Sequence, residues 1–225
     1  MTRAALVVFA KEPRPGLVKT RLCPPFEPEQ AARLYRCMLD DVLAESAKAC
    51  ERAGATLYLS VHPPAATPVL SRRAPAGTRT IAQRGPDLSA RMADALARVA
   101  VAGFERIAIR GSDSPALPAA RILESFEALA NAALSLARDA DGGYALLAVR
   151  EPRAGLFDHP MSTESVAEDT LANARRFGWR CLELEPGFDL DTAEDLRRLR
   201  ALPRETLAAR CPRTVSLLDE EGWWP

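Results

Sequence analysis

Short apolar runs alternate with longer stretches of helical periodicity along nearly the whole chain, and this alternation constrains the fold more than any single motif. Residues 4–9 are continuously apolar, as expected of a strand buried on both faces. Further strand-like segments occupy 55–61, 79–83, 106–110, 133–137, 144–149 and 180–185. Between them, 29–51 carries Leu34, Tyr35, Met38, Leu39, Val42 and Leu43 at helical spacing, and 87–102 repeats Leu88, Met92, Leu96 and Val99 behind Asp87, a plausible N-cap. Pro118 fits the first turn of a helix with Ile122, Leu123, Phe126 and Leu129. Thr163 is expected to cap a helix holding Val166, Thr170, Leu171, Ala174 and Phe177, and Thr192 with Asp195 makes a capping-box pair. Segment 62–78 reads as loop or short helix, and 203–225 has no readable period. The pattern predicts an α/β fold with a mostly parallel sheet and helices on both faces. Ligands then belong outside the carboxyl ends of the strands.

A length of 225 residues suits one domain over 1–225, with a core of about 4–200 and a C-terminal tail at 203–225. Lys plus Arg (30) balance Asp plus Glu (30), so no global charge favours nucleic acid or a membrane surface. No stretch is apolar and long enough for a membrane span, and the run 4–10 is too short for a signal-peptide core. The five cysteines are scattered without a C-x-x-C pair, which indicates neither a zinc site nor a disulfide framework. A cytoplasmic location follows as the expectation.

Four stretches carry candidate chemistry, each at an expected strand end. "AKEPRPGLVKTRL" (10–22) follows the first strand with Lys11, Arg14, Lys19 and Arg21 in a turn shaped by prolines and Gly16. Arg offers a fork for phosphate oxygens and Lys a point charge, so the turn could hold a diphosphate; a solvated basic loop explains it equally well. It matches neither the Walker P-loop nor G-x-G-x-x-G. "RGSDSPAL" (110–117) places Asp113 at a strand end, either to hold Mg²⁺ against a diphosphate or to cap the next helix. "DADGGY" (139–144) combines two carboxylates with Gly142 and Gly143, which either make a tight turn or let the backbone close over a substrate. "GFDLDTAEDL" (187–196) sets Asp189 and Asp191 two apart: in an extended segment both face one side, where a divalent metal would relieve their repulsion, or else Asp191 caps the next helix and Asp189 is exposed. Neither His62 nor His159 is assigned a role.

Together "FAKEPRPGLVKTRL", "GSDSP", "DGGYALLAV", "MSTESV" and "FDLDTAEDL" resemble, in order, the motifs of a bacterial GT-A-like glycosyltransferase family. It is a former domain of unknown function whose members are often named arsenosugar-biosynthesis-type glycosyltransferases, and it lies within the nucleotide-diphospho-sugar transferase superfamily. The resemblance spans residues 5 to about 200. It implies a Rossmann-like three-layer α/β/α fold of GT-A type, with Lys11, Lys19 and Arg21 on donor phosphates and Asp113 in a DxD-like metal position. Asp191 and Asp189 would match the late acidic motif. Gly142, Gly143 and Tyr144, together with Ser162 and Thr163, would lie near the sugar or acceptor. The sequence departs from the family pattern at Met161, at Arg138 and Asp139, and at Ala148, all on the acceptor side.

The expected reaction is transfer of a sugar from a nucleotide diphosphate sugar to a small acceptor, aided by Mg²⁺ or Mn²⁺, with Asp141 as a candidate base. Two alternatives use the same residues: guanylyltransferase-like nucleotidyl transfer to a small phosphorylated acceptor, and nucleotide binding without turnover.

Overall fold

The computed structural model describes residues 3–161 and 163–225. Seven strands form one sheet: β1 (Ala4–Lys11), β2 (Thr56–His62), β3 (Arg79–Ala82), β4 (Arg106–Arg110), β5 (Leu134–Arg138), β6 (Tyr144–Val149) and β7 (Cys181–Leu184). Their spatial order is β3-β2-β1-β4-β6-β5-β7. Strands β3, β2, β1 and β4 pair in parallel, as do β5 and β7, whereas β6 runs antiparallel to both β4 and β5. The exception follows from the short turn 139–143, which makes β5 and β6 a hairpin. It also brings that turn to the same edge as the carboxyl ends of the parallel strands.

The period of two along β1 builds the layers. Ala4, Leu6, Val8 and Ala10 pack with Leu39, Val42 and Leu43 of α1 (Pro28–Ala53) and with Ile122 and Phe126 of α4 (Ala119–Ala128). Ala5 and Val7 face the other way, toward Met92, Leu96 and Val99 of α3 (Leu88–Val101) and Ala167, Leu171 and Ala174 of α5 (Val166–Arg176). A strand covered on both faces must be apolar throughout, which explains the unbroken first run. The fold is therefore Rossmann-like, with helices on both sides of a mostly parallel sheet.

The expected caps hold at two helices. Asp87 accepts from Ala90 N at 2.8 Å, and Thr192 with Asp195 forms a capping box on α6 (Ala193–Arg200). Thr163 does not cap α5; Ser165 stands there, without a side-chain capping bond. Segment 62–78 holds a 3₁₀ turn (Pro64–Ala66) and the short α2 (Thr67–Ser71). Among the described residues no helix is long and apolar enough to cross a membrane.

The tail is ordered by packing that no local period reveals. Helices α7 (Arg204–Arg210) and α8 (Pro212–Glu220) bury Leu207, Val215 and Leu218 against Leu34 and Met38 of α1 and Leu196 and Leu199 of α6. Asp41 of α1 supplies the cap that α8 lacks. Its buried carboxylate accepts from Thr214 N and Thr214 Oγ1, each at 2.8 Å, and from Arg213 N at 3.2 Å. Asp41→Ala should therefore orphan buried donors and lower stability by about 2–4 kcal/mol. Urea unfolding checks this; a variant with an unchanged midpoint would show that α8 docks without the carboxylate.

Candidate active site

The turn after β1 delivers one lysine inward. Pro13, Pro15 and Gly16 (φ +73°) bend the chain, and Lys19 opens a 3₁₀ turn (Thr20–Leu22) with φ 51° and ψ 36°. Lys19 is the sole non-glycine residue with positive φ among those described. A left-handed lysine costs backbone energy and persists only where surrounding contacts hold it. Those contacts are carboxylates. The Lys19 ammonium, with its side chain 2% exposed, pairs with Asp113 Oδ1 and, at 2.7 Å, with Asp191 Oδ1. Burial pulls its pKa down, but Asp113 and Asp191 together hold it above the ordinary lysine value. Arg21 reaches Asp191 Oδ2 at 3.4 Å while remaining exposed, which leaves much of its donor fork free.

The loop after β4 is held from below and from the side. Arg110 ends β4 fully buried; its Nη2 donates to Ser114 O at 2.7 Å and its Nη1 to Ser46 Oγ at 3.3 Å. Burial lowers this guanidinium to about 10, opposed by the charges of Asp189 and Glu45. Tyr35 OH accepts from Lys11 N at 2.9 Å and shares a proton with Ser112 Oγ at 2.7 Å. One hydroxyl thus ties the end of β1 to the loop that carries Asp113. Burial, and then the Asp113 charge, push that phenol up to about 12.

The late acidic segment docks onto the same loop. Leu190 N donates to Asp113 O at 2.8 Å, and Ser114 Oγ donates to Asp189 Oδ1. Leu190 is fully buried, so its neighbours Asp189 and Asp191 both turn to the crevice, as their spacing of two requires. Asp139 completes the arrangement: its Oδ1 accepts from Asp189 N at 2.9 Å and Ala140 N at 2.7 Å. Burial raises the Asp139 carboxyl to about 6, its two backbone donors opposing and neighbouring Asp141 adding to the rise. Burial, then Asp113, then Asp139 raise Asp189 well above the carboxylate range.

The structure brings Lys19, Arg21, Asp113, Asp189 and Asp191 to one point. Lys11 and Gly16 lie on the rim, both exposed, and Lys11 is the register partner of His62, whose pKa its charge helps to lower. Asp141 is exposed beside Asp139 and accepts from Gly143 N at 3.3 Å. Gly142 has φ +88°, and a Cβ there would lie 1.9 Å from Glu164 O, so its smallness serves the docking of this turn onto the backbone before α5. Tyr144 turns into the core, its hydroxyl 3.9 Å from Met92 Sδ. Thr163 is exposed and bonds Ser165 Oγ at 3.2 Å; Ser162 lies outside the described residues. The departures have structural partners. Arg138 pairs with Glu183 of β7 and Glu168 of α5, Ala148 is buried in β6, and Met161 packs on the α3–α5 layer.

Sequence reasoning gave no site role to Tyr35, Arg110, Ser112 or Ser114, and noted Asp139 only as one of two turn carboxylates and as a departure from the family pattern. Arg110 carried a readable signal, a charge closing an apolar strand before an acidic loop. Tyr35 was hidden inside the apolar stripe of α1.

Among the described residues no three His, Cys, Asp or Glu side chains converge into a metal-binding group. Asp113 and Asp191 nonetheless face one shared cation, the Lys19 ammonium, and remain partly open to solvent. One or two carboxylates are what Mg²⁺ takes from a protein when phosphate oxygens and water complete its shell. The pair fits a divalent ion that arrives with a diphosphate.

A family model described as "Uncharacterized protein conserved in bacteria (DUF2064)" matches residues 44–163. No curated protein matches the chain. Among solved structures, a protein of Desulfovibrio desulfuricans G20, provisionally described as a nucleotide-diphospho-sugar transferase, is 28% identical with a TM-score of 0.87; the match covers 100% of this chain and 97% of that one. CMP:2-keto-3-deoxy-manno-octonic acid synthetase, complexed with CTP, is 13% identical with a TM-score of 0.57, covering 89% of this chain and 98% of its own. The 4-diphosphocytidyl-2C-methyl-D-erythritol synthase of Anaerococcus prevotii is 10% identical with a TM-score of 0.57, covering 86% and 92%. The last two show likeness of fold.

The crowded carboxylates give a signed pH dependence. Asp139 and Asp189 both have folded pKa values above their unfolded ones, so the native state binds their protons more tightly. In metal-free buffer, stability should fall as pH rises from about 4 through 6, by on the order of 2 kcal/mol. Asp139→Asn keeps an acceptor for Asp189 N and Ala140 N without the charge. Its melting temperature should vary less across that window and equal or exceed that of the wild type at pH 7. A steeper dependence in the variant would contradict the assignment.

Proposed function

The chain belongs to the DUF2064 family, and from that premise and the crevice geometry we propose that it is a transferase of nucleotide-diphospho-sugar chemistry. In this reading it moves a sugar from a nucleotide diphosphate sugar to a small acceptor. The observation that carries it is the convergence of the basic turn after β1 with acidic loops after β4 and β7 on the buried Lys19 ammonium. The 28% identical Desulfovibrio protein, alike over its whole length, supports the same class.

Each residue has a definable task. Arg21 binds the donor diphosphate through the N–H groups that Asp191 leaves free. Lys19 holds Asp113 and Asp191 at a fixed separation, so that both carboxylates can meet a divalent cation. Such a cation, when bound, neutralises charge on the diphosphate leaving group. Asp189, held by Ser114, fixes the late loop beneath the donor with Asp139. Asp141, exposed at the hairpin tip, is the candidate to accept the acceptor's proton. The acceptor enters between that tip and the exposed Thr163.

Product analysis tests the reading. Incubation with nucleotide sugars and Mg²⁺ or Mn²⁺ should release a nucleoside diphosphate. Pyrophosphate from a nucleoside triphosphate would replace this proposal with nucleotidyl transfer, and binding without either product would leave a nucleotide-binding protein.

Two further outcomes follow from the residue assignments. Loss of the charge-assisted bonds in Arg21→Ala should weaken nucleotide affinity about tenfold by calorimetry; equal affinities would remove Arg21 from the site. Nucleotide with metal, at about a hundred times its Kd, should raise the melting temperature by roughly 5–10 °C. EDTA should cancel most of that shift, and Asp113→Asn should lose its metal-dependent part. A full shift retained in Asp113→Asn would make Asp113 a structural partner of Lys19 only.

A further inference from the structure

A second group of cations lies at the same sheet edge, across the end of β1 from Lys19. Lys11 and His62 are register partners on the parallel strands β1 and β2, so their side chains leave the same face side by side. Arg91, in the first turn of α3, reaches His62: its Nη1 lies 3.0 Å from His62 Nδ1. A guanidinium only donates, so Nδ1 is the acceptor and the imidazole carries its proton on Nε2. Arg91 is anchored by its Nε, which donates to Asp87 O at 3.0 Å.

These groups lack anionic partners. The nearby carboxylates are committed elsewhere: Glu12 pairs with Arg14 at 3.2 Å, and Asp87 accepts from Ala90 N at 2.8 Å. Among the described residues no carboxylate forms an ion pair with Lys11 or Arg91. Burial, then the charges of Arg91 and Lys11, lower the His62 pKa, as expected of an imidazole among cations. The adjoining turn is fixed rather than loose. Gln83 Nε2 donates to Ser60 O at 2.9 Å, and a Cβ on Gly85 (φ +133°) would meet Ala90 at 2.7 Å.

We propose that Lys11, His62 and Arg91 form a second anion-binding subsite of the crevice, which takes a phosphate or carboxylate group through Lys11 Nζ, His62 Nε2–H and the free N–H groups of Arg91. The charges of Lys11 and Arg91, held beside a neutral imidazole without a counter-charge, repel each other until an anion joins the donors of the three elements. The subsite rests on the transferase reading only for the identity of the molecule that carries the anion, which is either the nucleotide donor or an acidic acceptor.

Imidazole NMR tests it, because the chain has only two histidines and His62→Gln assigns the signals. Inorganic pyrophosphate should shift the His62 resonances saturably and leave those of His159 in place. Arg91→Gln and Lys11→Gln should each weaken that response about tenfold. Lys11 is exposed, so its variant folds and keeps the test decisive if Arg91→Gln does not. A non-saturating His62 response, or equal affinities in wild type and Lys11→Gln, overturns the subsite. Repeating the titration with saturating nucleoside diphosphate separates the sources. Competition at His62 assigns the subsite to the donor phosphates, and an undiminished pyrophosphate response assigns it to an acidic group on the acceptor. The inorganic probe keeps the outcome independent of whether Arg21 binds nucleotide.

Discussion

A single buried ammonium organises this sheet edge. Lys19 comes from the turn after β1, Asp113 from the loop after β4 and Asp191 from the segment after β7, and the exposed Arg21 adds a second, longer charged contact to Asp191. Without the lysine, two carboxylates would face each other at the end of the sheet. Without the carboxylates, an ammonium would be buried alone in a strained backbone conformation. Each charge therefore fixes the position of the other two, and the loops that carry them inherit that position.

Hydrogen bonds extend the order outward. Tyr35 joins Lys11 N to Ser112, Arg110 holds Ser114 O from beneath, and Ser114 holds Asp189. Asp139 then links the hairpin turn to Asp189 N. The chain of contacts leaves acidic groups in excess at the crevice floor and cations at its rim. Under the proposed reading, that polarity suits a ligand that brings both a metal ion and phosphates, since the ion would meet carboxylates while the phosphates would meet Arg21.

Much of the fold was legible because burial on both faces leaves a strong mark. The run 4–9, the stripe of α1 and the caps at Asp87 and Thr192 carry their physics locally. The tail was not legible. Helices α7 and α8 are short, and what stabilises α8 is a carboxylate on α1, distant in sequence. The Thr163 cap failed for a related reason: Gly142 presses against Glu164 O and accepts from Ala167 N, so the hairpin turn sets the start of α5.

The sequence by itself determined the alternation of strands and helices, and with it the edge where Lys19, Arg21, Asp113 and Asp191 would gather, because period and turn chemistry act over a few residues. Only the tertiary structure decided that Lys19 turns inward between the aspartates while Arg21 stays out, that Gly142 serves docking and Tyr144 the core, and that Arg110 and Asp139 hold the loops of the candidate site. Those outcomes depend on which side chain meets which charge across strands far apart in the chain. Desolvation and Coulomb energy at such meetings are properties of the assembled sheet edge, and no local stretch encodes them.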